Sequence, residues 1–144
     1  MKSIVTALGL LVLALCAVRQ VRAEEAPRDG VFIHISHGTD DPHRLLMALN
    51  MANIMADEHD VLVYFDIKAV DVVLKDSKDV SFSHFPASKA QIAALTKKKV
   101  TLMVCPGCLK AAGKSKADIA EGMRIADKGV FFSFTKGRIL TLDY

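Results

Sequence analysis

The 144-residue chain is 51% hydrophobic and carries 19 basic against 16 acidic residues, a formal charge of +3. That excess lies in residues 1–23, which hold Lys2, Arg19 and Arg22 and no acid. The remainder is neutral, which excludes a net basic field drawing in nucleic acid or an anionic membrane, and its length suits one domain around one core.

Met1-Lys2 supplies a positive start, Ile4 to Ala17 is almost unbroken apolar sequence, and Val21-Arg22-Ala23 has the small or β-branched residues of a cleavage site. This order predicts a secretory signal peptide over residues 1–23 and a periplasmic mature protein. The apolar run is shorter than the roughly 20 residues a membrane span needs, so no span is expected after cleavage. Leu15 precedes Cys16 where lipidation wants a small residue. Cleavage removes Cys16 and leaves Cys105 and Cys108 in an oxidising compartment. Two cysteines are too few for a disulfide scaffold, so the fold must rest on its core.

Residues 24–144 read as a single α/β domain. Val31 to Ser36 is a β-branched, apolar run and predicts a buried strand. Asp41 suits a helix N-cap and Pro42 the first helical position, and apolar residues recur at helical spacing from there to Asp57. Val61–Phe65 is a second strand, and Ile67–Leu74 a short helix. Ala87–Lys97 is a further helix, and Val100–Val104 a third strand ending directly in Cys105. Helical spacing resumes near Leu109 and over Ala117–Ala126. Val130–Phe134 and Ile139–Leu142 are the expected fourth and fifth strands, joined by Thr135-Lys136-Gly137 as a hairpin turn or a crossover remnant. Near-continuous apolar strands alternating with helices predict a mainly parallel sheet covered on both faces.

In such sheets ligands bind beyond the carboxyl ends of the strands. Two segments fall there: His37 to His43 after the first strand, and Cys105-Pro106-Gly107-Cys108 after the third. Cys105, where a strand gives way to a helix with Pro106 at its first position, is placed to ionise. Cys108, one turn on, reaches back to form a disulfide or to resolve a sulfur adduct. The plainer alternative is an inert local disulfide. Haem attachment is excluded by Leu109, which stands where a histidine is needed. The pair also serves a dithiol oxidoreductase, or a zinc or copper site with His37 or His43, although a metal is not favoured. His37 and His43, with Asp41 nearby, are candidate supporting groups: a base or an orienting partner. The plain alternative is a turn and a helix-surface histidine. His34 reads as a satisfied core histidine. Met47, Met51 and Met55 form a stripe that reads as core or an oligomer face.

The strand-cysteine segment Val100-Thr101-Leu102-Met103-Val104-Cys105, followed eight residues later by Gly113, resembles the DsrE/DsrF-like family of small sulfur-relay proteins. Arg138-Ile139-Leu140-Thr141-Leu142 is similar to that family's last strand. Asp41-Pro42-His43-Arg44 with Met47-Ala48-Leu49 and the Cys-Pro-x-Cys motif resembles an exported branch of it. The resemblance implies a flavodoxin-like three-layer α/β/α sandwich with a mainly parallel five-stranded sheet, and a homo-oligomer. It implies sulfane sulfur carried as a persulfide on Cys105, with no further cofactor. The partners it implies are sulfur donor and acceptor proteins or small sulfur compounds. Export separates this chain from cytoplasmic tRNA-thiolation relays, and Cys108 introduces a thiol that competes with a stable persulfide.

Overall fold

A computed structural model describes residues 26–144; the expected signal peptide and Cys16 lie outside the described residues. In chain order the elements are β1 (Gly30–Ile35), α1 (Pro42–Met55), β2 (Asp60–Phe65), a 3₁₀ helix (Ile67–Val73) and α2 (Ser88–Lys97). They continue with β3 (Thr101–Val104), α3 (Pro106–Ala111), a 3₁₀ turn (Lys116–Asp118), β4 (Met123–Ile125), α4 (Lys128–Phe131) and β5 (Ile139–Asp143). The five strands form one sheet in the order β4-β3-β2-β1-β5, every pair parallel. This is the expected α/β architecture, with both edges formed by the late strands.

Chirality distributes the layers. The steps β1 to β2 to β3 to β4 all move in one direction, so right-handed crossovers put their helices on one face. There Val31, Ile33 and Ile35 of β1, with Val61, Val63 and Phe65 of β2, meet Leu45, Leu46, Leu49 and Ala52 of α1. Val70 and Val73 of the 3₁₀ helix and Leu95 of α2 complete this core. The step from β4 to β5 runs back the other way and carries α4 to the opposite face. Phe131 packs edge-on against Phe32 and Tyr64 there, with ring centroids 5.8 and 5.3 Å apart. That layer is a single turn, so Phe32, His34 and Tyr64 stay half-buried while Leu62 and Met103 beside them are fully buried.

Two expected elements change places. Ala117–Ala126 is not a helix: a capping box between Ser115 and Asp118 closes one 3₁₀ turn, and Met123–Ile125 then extends as edge strand β4. Val130–Phe134 is not a strand: the Asp127 carboxylate caps α4 by accepting from the Gly129 N–H at 2.8 Å, and Phe132 projects into solvent at 85% exposure. A short apolar aromatic run has no period of its own to separate the two states. Thr135-Lys136-Gly137 is the crossover remnant, tied down where the Thr135 hydroxyl donates to the Arg28 carbonyl at 2.6 Å. Of the methionine stripe, Met51 and Met55 pack on the core and Met47 is exposed.

The uneven layers give different mutational costs. Leu49→Ala, at a fully buried position, is expected to lower unfolding stability by about 2–5 kcal/mol in urea titrations. Phe131→Ala, on the thin face, is expected to cost distinctly less.

Candidate functional site

The parallel register sets the site. Tyr64 pairs with His34 on one side and with Met103 on the other, so Tyr64 and His34 share the thinly covered face at the carboxyl end of the sheet. Their rings stack with centroids 5.8 Å apart. One residue beyond β3, the Cys105 N–H donates to the Phe65 carbonyl at 2.9 Å, which continues the β2–β3 ladder by one rung. Tyr64 acts from this face on the ionisation of Cys105.

Cys105 is also the N-cap of α3. Its Sγ accepts from the Cys108 N–H at 3.1 Å, the bond an oxygen side chain makes at most helix starts. Pro106 sits in the first turn, where a missing N–H costs nothing. Six residues later α3 must stop, and Gly113 stops it at a φ of 70°. The Lys114 N–H then returns to the Leu109 carbonyl at 2.9 Å, a glycine-terminated helix end. The spacing between Cys105 and Gly113 is therefore the length of one short helix.

The two thiols are unequal. Partial burial opposes a thiolate at Cys105, but hydrogen bonds from the Cys108 thiol, the Tyr64 hydroxyl and the backbone N–H groups of Cys108 and Gly107 outweigh it. Its pKa lies below the ordinary thiol value. Burial and the neighbouring Cys105 push Cys108 up instead, with Asp66 adding to the rise; only the Ile67 N–H opposes it. Tyr64 is driven upward by burial and by Cys105, so it stays a neutral donor. Both cysteines are free thiols and half-buried. Ile67, which aims its N–H at Cys108, has φ 46°, a left-handed conformation that strains a β-branched residue.

Behind Tyr64, His34 lies between two carboxylates: Nε2 is 2.9 Å from Asp66 Oδ1 and Nδ1 2.9 Å from Asp143 Oδ1. Burial opposes its charge, yet the carboxylates prevail and its pKa is raised above 6.5. It is a partly exposed, charge-paired residue rather than a core histidine. His34, Tyr64, Asp66 and Asp143 were not singled out as site residues from the sequence. The usable signal was register: three parallel strands ending together place His34 and Tyr64 beside Cys105.

The structure brings Cys105 and Cys108 together but engages the other candidates elsewhere. β2 lies between β1 and β3, so the strands that carry the His37 loop and the cysteine loop are not neighbours. His37 Nδ1 meets Asp40 Oδ2 at 2.8 Å, and its Nε2 faces Arg44. Asp41 caps α1 through the Arg44 N–H at 3.1 Å. His43 stacks on Phe82 and lies against Phe85, at centroid distances of 5.0 and 5.7 Å. Among the described residues no three His, Cys, Asp or Glu side chains stand close enough to hold a metal ion.

The family model for the DsrE/DsrF-like family matches residues 29–136, from the start of β1 past both cysteines to the loop before β5. The ychN protein from E. coli is similar in structure, with a TM-score of 0.63 at 17% identity, over 80% of this chain and 99% of that one. The protein of unknown function MTH1491 from Methanobacterium thermoautotrophicum has a TM-score of 0.55 at 24% identity, over 78% of this chain and 98% of its own. These likenesses concern the fold. No curated protein matches the chain.

Two titrations check the electrostatics. Tyr64→Phe is expected to move the thiolate absorbance titration of Cys105 to higher pH, because a donor to the thiolate is lost. His34 is expected to titrate above 6.5 by NMR and to fall back in Asp143→Asn. A raised histidine stabilises the fold fully below its unfolded pKa and loses that effect as pH rises through the folded value. The stability gap between wild type and Asp143→Asn, read from urea midpoints, should therefore be larger near about pH 5.5 than at about pH 8.5.

Proposed function

Because the chain belongs to the DsrE/DsrF-like family, we propose that it handles sulfane sulfur in the periplasm as a persulfide on Cys105, with Cys108 as the resolving thiol. Family membership supports a role of the sulfur-relay kind. The observation that carries the finer reading is the inequality of the two thiols: Cys105 Sγ accepts from the Cys108 N–H at 3.1 Å and its pKa is lowered, while that of Cys108 is raised. Nucleophilic sulfur chemistry runs through the thiolate.

Loading is an exchange. The Cys105 thiolate attacks the outer sulfur of a persulfide or polysulfide donor; the donor's S–S bond breaks and its remaining sulfur leaves as a thiolate. Cys105 then carries one extra sulfur, and no oxidant is needed. Unloading has two routes. An acceptor thiolate takes the outer sulfur and returns Cys105 as a thiolate. Alternatively Cys108 attacks Cys105 Sγ, which releases hydrosulfide and leaves a Cys105–Cys108 disulfide. The high pKa of Cys108 restrains this second route, since a thiol must lose its proton to attack.

The signal peptide expected over residues 1–23 supports the periplasmic setting. The reading includes a homo-oligomer, supported by apolar residues on the edge strand β5, where Ile139 and Leu140 are each 52% exposed. A dithiol oxidoreductase remains the second reading, because the same inequality between two thiols serves disulfide exchange.

Intact mass decides between them. Reduced protein incubated with polysulfide is expected to gain about 32 Da, one sulfur atom. The gain should vanish in Cys105→Ser and last longer in Cys108→Ser. Equal loading of Cys105→Ser, or no loading at all beside rapid disulfide exchange, would overturn the carrier reading in favour of the oxidoreductase.

A further inference from the structure

An open cavity of about 550 Å³ adjoins the cysteine loop, within the range of small-molecule sites. Its lining is Ile67, Lys68, Asp71, Cys108, Ala111 and Ala112. Cys108 is in that lining and Cys105 is not. The two alanines leave room against α3, and Lys68 and Asp71 offer opposite charges from one turn of the 3₁₀ helix. Neither forms an ion pair with another described residue. A ligand with both a carboxylate and an ammonium group is matched by such a pair. A dianion such as thiosulfate is matched by only half of it.

We propose that the Cys105–Cys108 disulfide is reopened at Cys108, by a small zwitterionic thiol of the cysteine or glutathione type seated in this cavity. The inference rests on the resolving step above only in requiring that the disulfide forms. The incoming thiolate bonds to Cys108 Sγ, the bond between the two cysteine sulfurs breaks, and its electron pair leaves on Cys105. The product is a mixed disulfide at Cys108 with Cys105 released as thiolate. A second molecule of the same thiol attacks the ligand's sulfur, giving the oxidised small-molecule disulfide, and Cys108 leaves with a proton. Two thiols are oxidised and one protein disulfide is reduced.

Leaving-group chemistry favours the same direction. The departing sulfur is the one already met by the Cys108 N–H at 3.1 Å, so negative charge appears where a donor is in place. Attack at Cys105 would reverse this and expel the sulfur with the poorer stabilisation. The usual order in a Cys-x-x-Cys pair, with the first cysteine as the exchanging sulfur, is inverted here because the cavity opens on the second.

The test needs no sulfur donor, so it can fail or succeed independently of loading at Cys105. Purified protein is oxidised with diamide, mixed with limiting glutathione, quenched in acid, alkylated and mapped by peptide mass. The glutathione adduct is expected on Cys108 and the alkyl group on Cys105. The adduct on Cys105, or spread evenly, overturns the inference. So does a pair that forms no disulfide under diamide, and that result leaves persulfide loading untouched. A second arm compares Lys68→Glu with wild type. Exchange with glutathione should slow by roughly tenfold, the scale of one lost charge contact, while exchange with uncharged 2-mercaptoethanol stays close to wild type. Equal slowing with both thiols overturns the seat in the cavity.

Discussion

One backbone hydrogen bond fixes the relation on which the site depends: the Cys105 N–H donates to the Phe65 carbonyl at 2.9 Å. It extends the pairing of β2 with β3 one residue past the strand, before Pro106 turns the chain into α3. A proline at that position has no N–H to offer the ladder, so the rung is the last one available. Because the rung holds, Cys105 lies beside the end of β2, and Tyr64, one residue before Phe65, faces its sulfur from the sheet's thin side. The Cys105 sulfur is therefore positioned by sheet register, and the short helix it caps adds the Cys108 N–H to it.

The same junction explains why two similar thiols differ. Cys105 looks toward Tyr64 and the backbone N–H groups of Gly107 and Cys108. Cys108 looks toward Asp66 and the Ile67 N–H. Ile67 is 61% exposed and its φ of 46° is not imposed by packing of its side chain. What the conformation does is turn the chain sharply after β2, so that Asp66 can face back to His34 while the next N–H faces Cys108. Strain of this kind, on the order of 1–3 kcal/mol, is sustained only where the surroundings over-determine it. Here the paired ends of three strands supply that.

The sequence made the fold class, four of the five strands and the cysteine pair's place at a strand end legible, because each has a local signal. Val31–Ser36, Val61–Phe65 and Val100–Val104 are long enough, and apolar enough on both faces, to read as central strands. The β4 edge was not legible. Met123-Arg124-Ile125 is three residues with an exposed arginine in the middle, and it becomes a strand only because β3 offers it a free edge. Val130–Phe134 has the composition of a strand, but its place in the sheet is already taken. The partners of the cysteines were hidden for the same reason. Tyr64 sits inside an apolar run, and its separation from Phe65 across the sheet follows from pleating, which composition does not display.

Asp143 shows how far this long-range dependence reaches. It lies on β5, at the opposite end of the chain from β1 and beyond the residues matched by the family model, yet it completes the clamp on His34. The connection runs through register: His34 pairs with Asp143 on one side and Tyr64 on the other. Ser36 N–H also donates to the Tyr144 carbonyl at 2.8 Å, and Tyr144 N–H donates to His34 O at 2.9 Å, which anchors the last residues against β1. The edge strand is thus tied to the site by its own backbone. The histidine that lies against Asp66 enters from β1 and is held there by β5, so the surroundings of Cys108 depend on a strand three positions from β3 in the sheet. Loosening that strand would leave the cysteine loop intact and still alter the balance between its two sulfurs, because the histidine beside Asp66 would lose one of the two carboxylates that raise its pKa.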